Sequence, residues 1–316
     1  MHIFGNSFIF DWEVQLIIWL QQLLGSTGIQ IISFFSFFAE TIVFVAIFGL
    51  FYWCLDKKFG KQLACSILMG TIWNPMIKNI FDRRRPYMDH PSIDLHRPID
   101  SSSDINNIHA QGFSFPSGHS TNVVCLFVGL SNYKKEKKYF YLALLIAFFV
   151  GLSRVVIGAH YPSDVIAGWA LGFITLFIVT YLRKIIEKDW IYYSILILSG
   201  IPGLFYCTSN DYFTCFGMLI GFCLGSLIES KYINFKETRQ PFEILLRFIG
   251  GIAIFLILNT LLKMPFSTIF LESGVYLARI VRLLRYAITI FVIVGLYPYL
   301  FQFFPSKKQE NKNTTS

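Results

Sequence analysis

Nine stretches of about 20 mostly apolar residues, the length a helix needs to cross a bilayer, run through this chain of 316 residues. They lie near 29–54, 62–82, 117–133, 139–158, 162–182, 190–207, 212–229, 242–263 and 284–304. With 54% hydrophobic and only 15% charged residues, the chain belongs in a membrane rather than in water. No repeat or low-complexity linker divides the runs, so one membrane domain over 1–316 is expected. The predicted fold is an all-α polytopic bundle of about nine transmembrane helices. An interfacial amphipathic helix should precede them, because Asp11, Glu13 and a Gln pair interrupt the first 26 residues and no cleavage site follows a basic start.

The net charge of +8 sits in short clusters between apolar runs, without the aromatic-interleaved basic stripe of a nucleic-acid binder. It reads as topology, with anionic lipid head groups nearby. "DKKFGKQ", "YKKEKKY", "RKIIEKD", "KYINFKETR" and "SKKQENK" fall on one side of nine alternating spans, the cytoplasmic side by the positive-inside rule. Arg279, Arg282 and Arg285 break the pattern by preceding the last run on the outer side. At spacings of three they suit one face of an interfacial or substrate-contacting helix, unless the last two spans are displaced. The six cysteines form no CxxC pair; Cys207 and Cys215 could meet at one membrane face.

Three polar clusters should then share the outer face. In "KNIFDRRRPY" (78–87), Lys78 and Arg85 are two helical turns apart, so one helix face would carry both before Pro86 stops it, a pair suited to a multiply charged anion. Arg83 and Arg84 read as helix-end arginines snorkelling to head groups. In "FSFPSGHSTN" (113–122), Ser117, Gly118 and His119 would occupy the first turn of the third span, where unpaired amides favour an anion. In "SRVVIGAHYPSDVIAG" (153–168), Arg154 and His160 lie just before Pro162, and Asp164 follows four residues after His160, placed to fix one imidazole nitrogen and leave the other nucleophilic. Three cations, a hydroxyl, a row of amides, two histidines and a carboxylate describe phosphoryl transfer in which Lys78, Arg85 and Arg154 neutralise charge without a metal.

Lys78-x6-Arg85-Pro86, Pro116-Ser117-Gly118-His119 and Ser153-Arg154-x5-His160-x3-Asp164 resemble the three signature motifs of the type 2 phosphatidic acid phosphatase superfamily, in order and complete. The likeness covers about 60–175. It implies that His160 attacks phosphorus to form a phosphohistidine, that Asp164 orients it, and that His119 protonates the leaving oxygen and then activates water. It implies phosphate binding by Lys78, Arg85, Ser117, the Gly118 amide and Arg154, with no cofactor and no metal. The catalytic core would span about 60–183 and extra transmembrane helices about 190–304. A nine-span layout is similar to the glucose-6-phosphatases, whereas "HYPSDVIAG" resembles bacterial lipid enzymes, implying a phosphorylated lipid substrate and a bacterial plasma membrane with the site facing outward. Among lipids, an isoprenoid diphosphate ranks before phosphatidic acid or phosphatidylglycerophosphate. A phosphotransferase, a sugar or sphingoid phosphate phosphatase and a non-catalytic anionic-lipid transporter are the alternatives; the oligomeric state stays open. The polar segment 87–115 reads as a lid or head-group selector, with metal binding by His90, His96 and His109 the weaker reading. Glu40, alone among apolar residues, receives no role.

Overall fold

A computed structural model of the chain describes residues 8–96 and 112–303. Among them every regular element is helical. The helices are α1 (Asp11–Ser33), α2 (Thr41–Leu50), α3 (Lys57–Phe81), α4 (Pro86–Asp89), α5 (Gly118–Val123), α6 (Gly129–Lys134), α7 (Lys137–Val156), α8 (Pro162–Ile185), α9 (Asp189–Gly200), α10 (Gly203–Tyr206), α11 (Asn210–Ile228), α12 (Pro241–Leu261), α13 (Thr268–Glu272) and α14 (Tyr276–Phe291). A π-helical turn, Val124–Val128, joins α5 to α6 in one rod, and similar turns extend α2, α11 and α14.

Among the described residues, six helical segments are long and apolar enough to cross a membrane, and Thr41–Leu55 is a shorter apolar one. This is an all-α polytopic membrane protein, but nine full crossings are not reached on length and apolarity alone. The reasons are local. α3 carries lysines, Gln62, Asn74 and Asn79 because it lies inside the bundle, and Pro202 at the α9–α10 junction breaks the sixth apolar run.

Asp11–Ala39 is one of the six, and its contacts tie it to one end of the bundle. Glu13 accepts from the Ser163 amide (2.7 Å), Gln21 donates to the Val156 carbonyl (3.0 Å) and Ser36 meets Ser153 (2.8 Å). All three partners lie at the same ends of α7 and α8. Gly25, at φ +58°, interrupts the helix and lets the segment bend across that end of the bundle. The helix expected at the N-terminus is therefore present, longer than expected and packed against this end of the bundle.

α3 is the axis of the molecule. Asp56 caps its first turn by accepting from the Phe59 amide (2.8 Å), and Asp82, in the left-handed region at φ +48°, ends it. One face of α3 packs with α2, the α5–α6 rod and α8; the other packs with α9 and α11. Buried Asn74 donates to the Pro116 carbonyl (3.2 Å) and to Thr121 Oγ1 (3.1 Å), pinning the start of α5 to α3.

The last apolar run begins earlier than expected. α14 starts at Tyr276, so Arg279, Arg282 and Arg285 lie within its first turns, and buried Arg285 donates to Asn259 of α12 (2.8 Å). Polar side chains on facing rods can pair inside the bundle, which is why a run broken by arginines still packs as one helix. α14 runs beside α11 over a stripe of Gly217, Gly221 and Gly225; a Cβ on Gly217 or Gly221 would collide with the main-chain carbonyls of Leu283 and Ala287. Gly221→Val should destabilise the protein by about 1–3 kcal/mol or more, since backbone cannot yield as a side chain does. A thermal unfolding midpoint in detergent equal to wild type would contradict this packing. All six cysteines are free thiols, so Cys207 and Cys215 do not pair.

Candidate active site

Four chain segments meet at the end of the bundle that α1 covers. α3 brings Lys78, whose Nζ donates to the carbonyls of Phe113 (2.5 Å) and Ser114 (3.2 Å) and holds the approach to α5 in place. Arg85 does not extend the face of α3 as expected: the helix stops at Phe81, Asp82 turns the chain, and Arg85 arrives from the residue before α4. Its guanidinium donates to the carbonyls of Gly112 (3.0 Å) and Ala159 (3.1 Å), and Nη1 faces His160 Nε2 at 3.4 Å.

Ser117, Gly118 and His119 do open α5, as the sequence implies. The Ser117 hydroxyl, however, is the N-cap, accepting from Ser120, and the Ser117 amide donates to the Asp164 carbonyl (2.9 Å). With the Ser120 and Thr121 amides turned to Ser117, the anion-attracting donors of this turn are the amides of Gly118 and His119. Gly168 of α8 sits against this turn, where a Cβ would come within 2.6 Å of the Ser117 carbonyl. His119 Nε2 lies 3.6 Å from Glu40 Oε1, so the glutamate given no role from sequence stands beside this histidine.

Arg154 closes α7, is buried, and donates to Ser36 (3.2 Å). The tight turn that follows needs Gly158, at φ +75°, because a Cβ there would stand 2.6 Å from the Asp94 carbonyl. His160 ends this turn. Pro162 opens α8, and Asp164 reaches back to accept from the Tyr161 amide (2.8 Å).

The carboxylate does not grip the imidazole directly. His160 Nδ1 is 3.5 Å from Asp164 Oδ2, and Ser114 stands between them, its oxygen 3.3 Å from Nδ1 and its hydroxyl donating to Oδ2 in a very short bond. A proton on Nδ1 directed at Ser114 leaves the lone pair on Nε2, the nitrogen facing Arg85. Burial, then Arg85, Lys78, Arg154 and His119, hold His160 well below the ordinary histidine value. That same influence places the cations Arg85, Lys78 and Arg154 within electrostatic reach of a neutral imidazole.

Arg83 overturns its expected role. It does not snorkel to head groups: it is fully buried, donating to Asp164 Oδ1, Glu13 Oε2 and Ser163 Oγ, each at 2.7 Å. Its guanidinium lies 3.9 Å from the Tyr161 ring centre and 4.1 Å from that of Phe8. The Ser114 amide donates to the Arg83 carbonyl (2.7 Å), tying this residue to the serine relay as well. Arg84 stays near the surface and pairs with Asp89 (3.2 Å). Sequence reasoning thus missed Arg83, Glu13 and Ser114; three consecutive arginines before Pro86 were the one available sign that not all of them could face lipid. Of the loop 87–115, residues 97–111 lie outside the described residues, His109 included. Among the described residues no cluster of His, Cys, Asp and Glu could hold a metal ion.

Residues 59–187 match the family model described as the PAP2 superfamily, and residues 213–309 match "PAP2 superfamily phosphatase, transmembrane extension". Over 172 residues, 51% of this chain and 74% of the other, it is 30% identical to phosphatidylglycerophosphatase B of Bacillus subtilis. The chain belongs to the PAP2 superfamily. Other relatives similar to this PAP2 protein include the lipid A 1-phosphatase of Rhizobium etli, 44% identical over 113 residues (36% of this chain, 45% of the other). An undecaprenyl-diphosphatase of Sulfolobus acidocaldarius is 31% identical over 122 residues (37% and 51%). The chain spans about half the length of these last two relatives. No solved structure matches it. The first PAP2 match contains all three polar clusters, and the second takes in the α11–α14 pair with its glycine stripe.

Proposed function

We propose that this membrane phosphatase of the PAP2 superfamily cleaves a lipid phosphomonoester or diphosphate through a phosphohistidine, without a metal. The observation that carries the reading is the neutral, buried His160, anchored at Nδ1 by the Ser114–Asp164 relay, faced at Nε2 by Arg85 and within the electrostatic reach of Lys78 and Arg154. His160 Nε2 attacks phosphorus while the P–O bond to the lipid breaks. His119, beside Glu40, gives the leaving oxygen its proton. The same imidazole then takes a proton from water, whose oxygen attacks the phosphohistidine, releasing inorganic phosphate and restoring His160. The cations and the Gly118 and His119 amides neutralise the equatorial oxygens throughout, the task that magnesium performs in kinases.

A lipid substrate is supported by an apolar groove of about 370 Å³ between α3 and α8, lined by Trp73, Met76, Ile77, Ile80, Ile174 and Ile178 among others. Ile77 and Ile80 lie at the same level of α3 as Lys78, so a chain lying in this groove would end at the height of the cations. The phosphorylated lipids named for the relatives above, phosphatidylglycerophosphate and undecaprenyl diphosphate, both fit this chemistry. The positive-inside rule supports an outward-facing site, since the lysine-rich start of α3 lies at its far end from Lys78.

The test is phosphate release from a panel of phosphorylated lipids and sugar phosphates in detergent with EDTA. Lipid substrates should be turned over and water-soluble sugar phosphates poorly. Because neutral His160 persists to lower pH than an ordinary histidine, the acid limb of kcat/KM, which reports the free enzyme, should fall below pH 6.5. An absolute requirement for a divalent ion, or an acid limb above neutrality, would refute the mechanism.

A further inference from the structure

The far end of α3 carries a second cationic cavity that the proposed chemistry does not use. About 220 Å³ in volume, it is lined by Lys57, Lys58, Lys61 and Gln62 of α3, Arg183 at the end of α8, and Asp189, Tyr192 and Tyr193 of α9, with Cys65 at its base. Lys58 and Lys78 are twenty residues apart on one helix, which at 1.5 Å per residue separates this cavity from the active site by about 30 Å, the thickness of the hydrocarbon core. The two sites therefore serve opposite leaflets.

Its charges are only partly balanced. Buried Glu229 is shared by two ammonium groups, Lys57 (2.9 Å) and Lys61 (3.2 Å), and Arg183 is matched by Asp189 (2.6 Å). Glu229 serves two lysines, Glu237 accepts from the Lys57 amide (3.1 Å), and the Arg–Asp pair is neutral, so with the exposed Lys58 at the rim a surplus of about one positive charge remains, by ordinary charge counting at neutral pH. A second observation points to an acceptor. Gln62 Nε2, a lining donor, is buried and has no hydrogen-bond partner among the described residues, although buried donors are almost always satisfied. Neither neighbouring tyrosine hydroxyl accepts from it: Tyr193 pairs with Ser226 (3.0 Å) and the Tyr192 hydroxyl is directed at the Val179 carbonyl.

We propose that this cavity is a non-catalytic site for a phosphate-bearing anion, the head group of an anionic phospholipid from the leaflet opposite the active site. Gln62 and Lys58 donate to the phosphate oxygens, Arg183 flanks them, and the acyl chains remain in the bilayer, the arrangement expected of basic pockets between transmembrane helices. The bound head group sits among α3, α8 and α9, where Lys57 and Lys61 also hold Glu229 just after α11, so its occupancy ties the catalytic half of the bundle to the C-terminal helices.

Thermal unfolding of the delipidated full-length protein, with phosphatidylglycerol or phosphatidylcholine mixed micelles or with inorganic phosphate, tests this. Phosphatidylglycerol should raise the midpoint by several degrees over phosphatidylcholine, as a ligand of the native state must. Lys58→Gln, a surface change compatible with folding, should shrink that shift, and Lys58→Gln/Gln62→Leu should abolish it. Arg85→Gln, altered only at the active site, should keep it. A shift produced equally by inorganic phosphate in Arg85→Gln and lost in the double variant identifies free phosphate as the source of the anion; a shift confined to the lipid identifies the head group. An undiminished phosphatidylglycerol shift in the double variant, or no difference between the two lipids in wild type, overturns the proposal.

Discussion

His160→Asn is expected to lower phosphate release by about 10⁴-fold or more, the scale on which removing a covalent nucleophile acts. The substitution deletes Nε2, the one nitrogen not directed at Ser114, while keeping a polar side chain at the buried position. Binding of the phosphorylated lipid should survive, because Lys78, Arg85, Arg154 and the α5 amides are untouched. The measurement is a rapid-quench experiment with substrate labelled on phosphorus: wild type should yield a protein-bound label stable to base and labile to acid, and the variant none. Undiminished turnover, or the same base-stable label in the variant, would remove His160 from the role of nucleophile.

Arg83→Met should be nearly as damaging by a different route. Its guanidinium is shared between two buried carboxylates, Glu13 and Asp164, and replacing it with an apolar side chain leaves both without a counter-charge. Breaking a buried pair in this way costs about 3–5 kcal/mol, much more than an exposed pair would. Activity should fall too, because Asp164 loses the partner that fixes Oδ1 while Oδ2 serves Ser114 and the Tyr161 amide. The loss should fall on kcat with KM little changed, since Arg83 does not reach the phosphate. Adding Glu13→Gln should recover part of the thermal stability, because it removes one of the two stranded charges; a double variant as unstable as Arg83→Met would mean that Glu13 and Arg83 are not coupled.

These two outcomes bear on how far the site was readable from residues alone. The positions with fixed local spacing could be read: Ser117, Gly118 and His119 open a helix because Pro116 and a serine cap precede it, and Asp164 is the third residue of a helix that starts on Pro162. The division of labour among Arg83, Arg84 and Arg85 could not. Three adjacent guanidiniums are interchangeable in sequence, and their directions depend on the left-handed turn at Asp82 that ends α3 four residues before Pro86. Ser114 and Glu13 carried no local sign, since a lone serine and a glutamate near the N-terminus fit a solvated segment equally well.

The apolar runs by themselves determined that the chain is a helical membrane protein, because backbone groups in lipid must be satisfied within each segment. Motif spacing determined which histidines and cations could meet an anion. Tertiary structure alone decided that Ser114 stands between His160 and Asp164, that Glu13 and Arg83 brace Asp164, that Glu40 lies beside His119, and that α1 lies over the site. The physical reason is range: helix starts and spacings are set by neighbours a few residues away, whereas the Glu13–Ser163 bond joins positions 150 residues apart and exists only once the rods have packed.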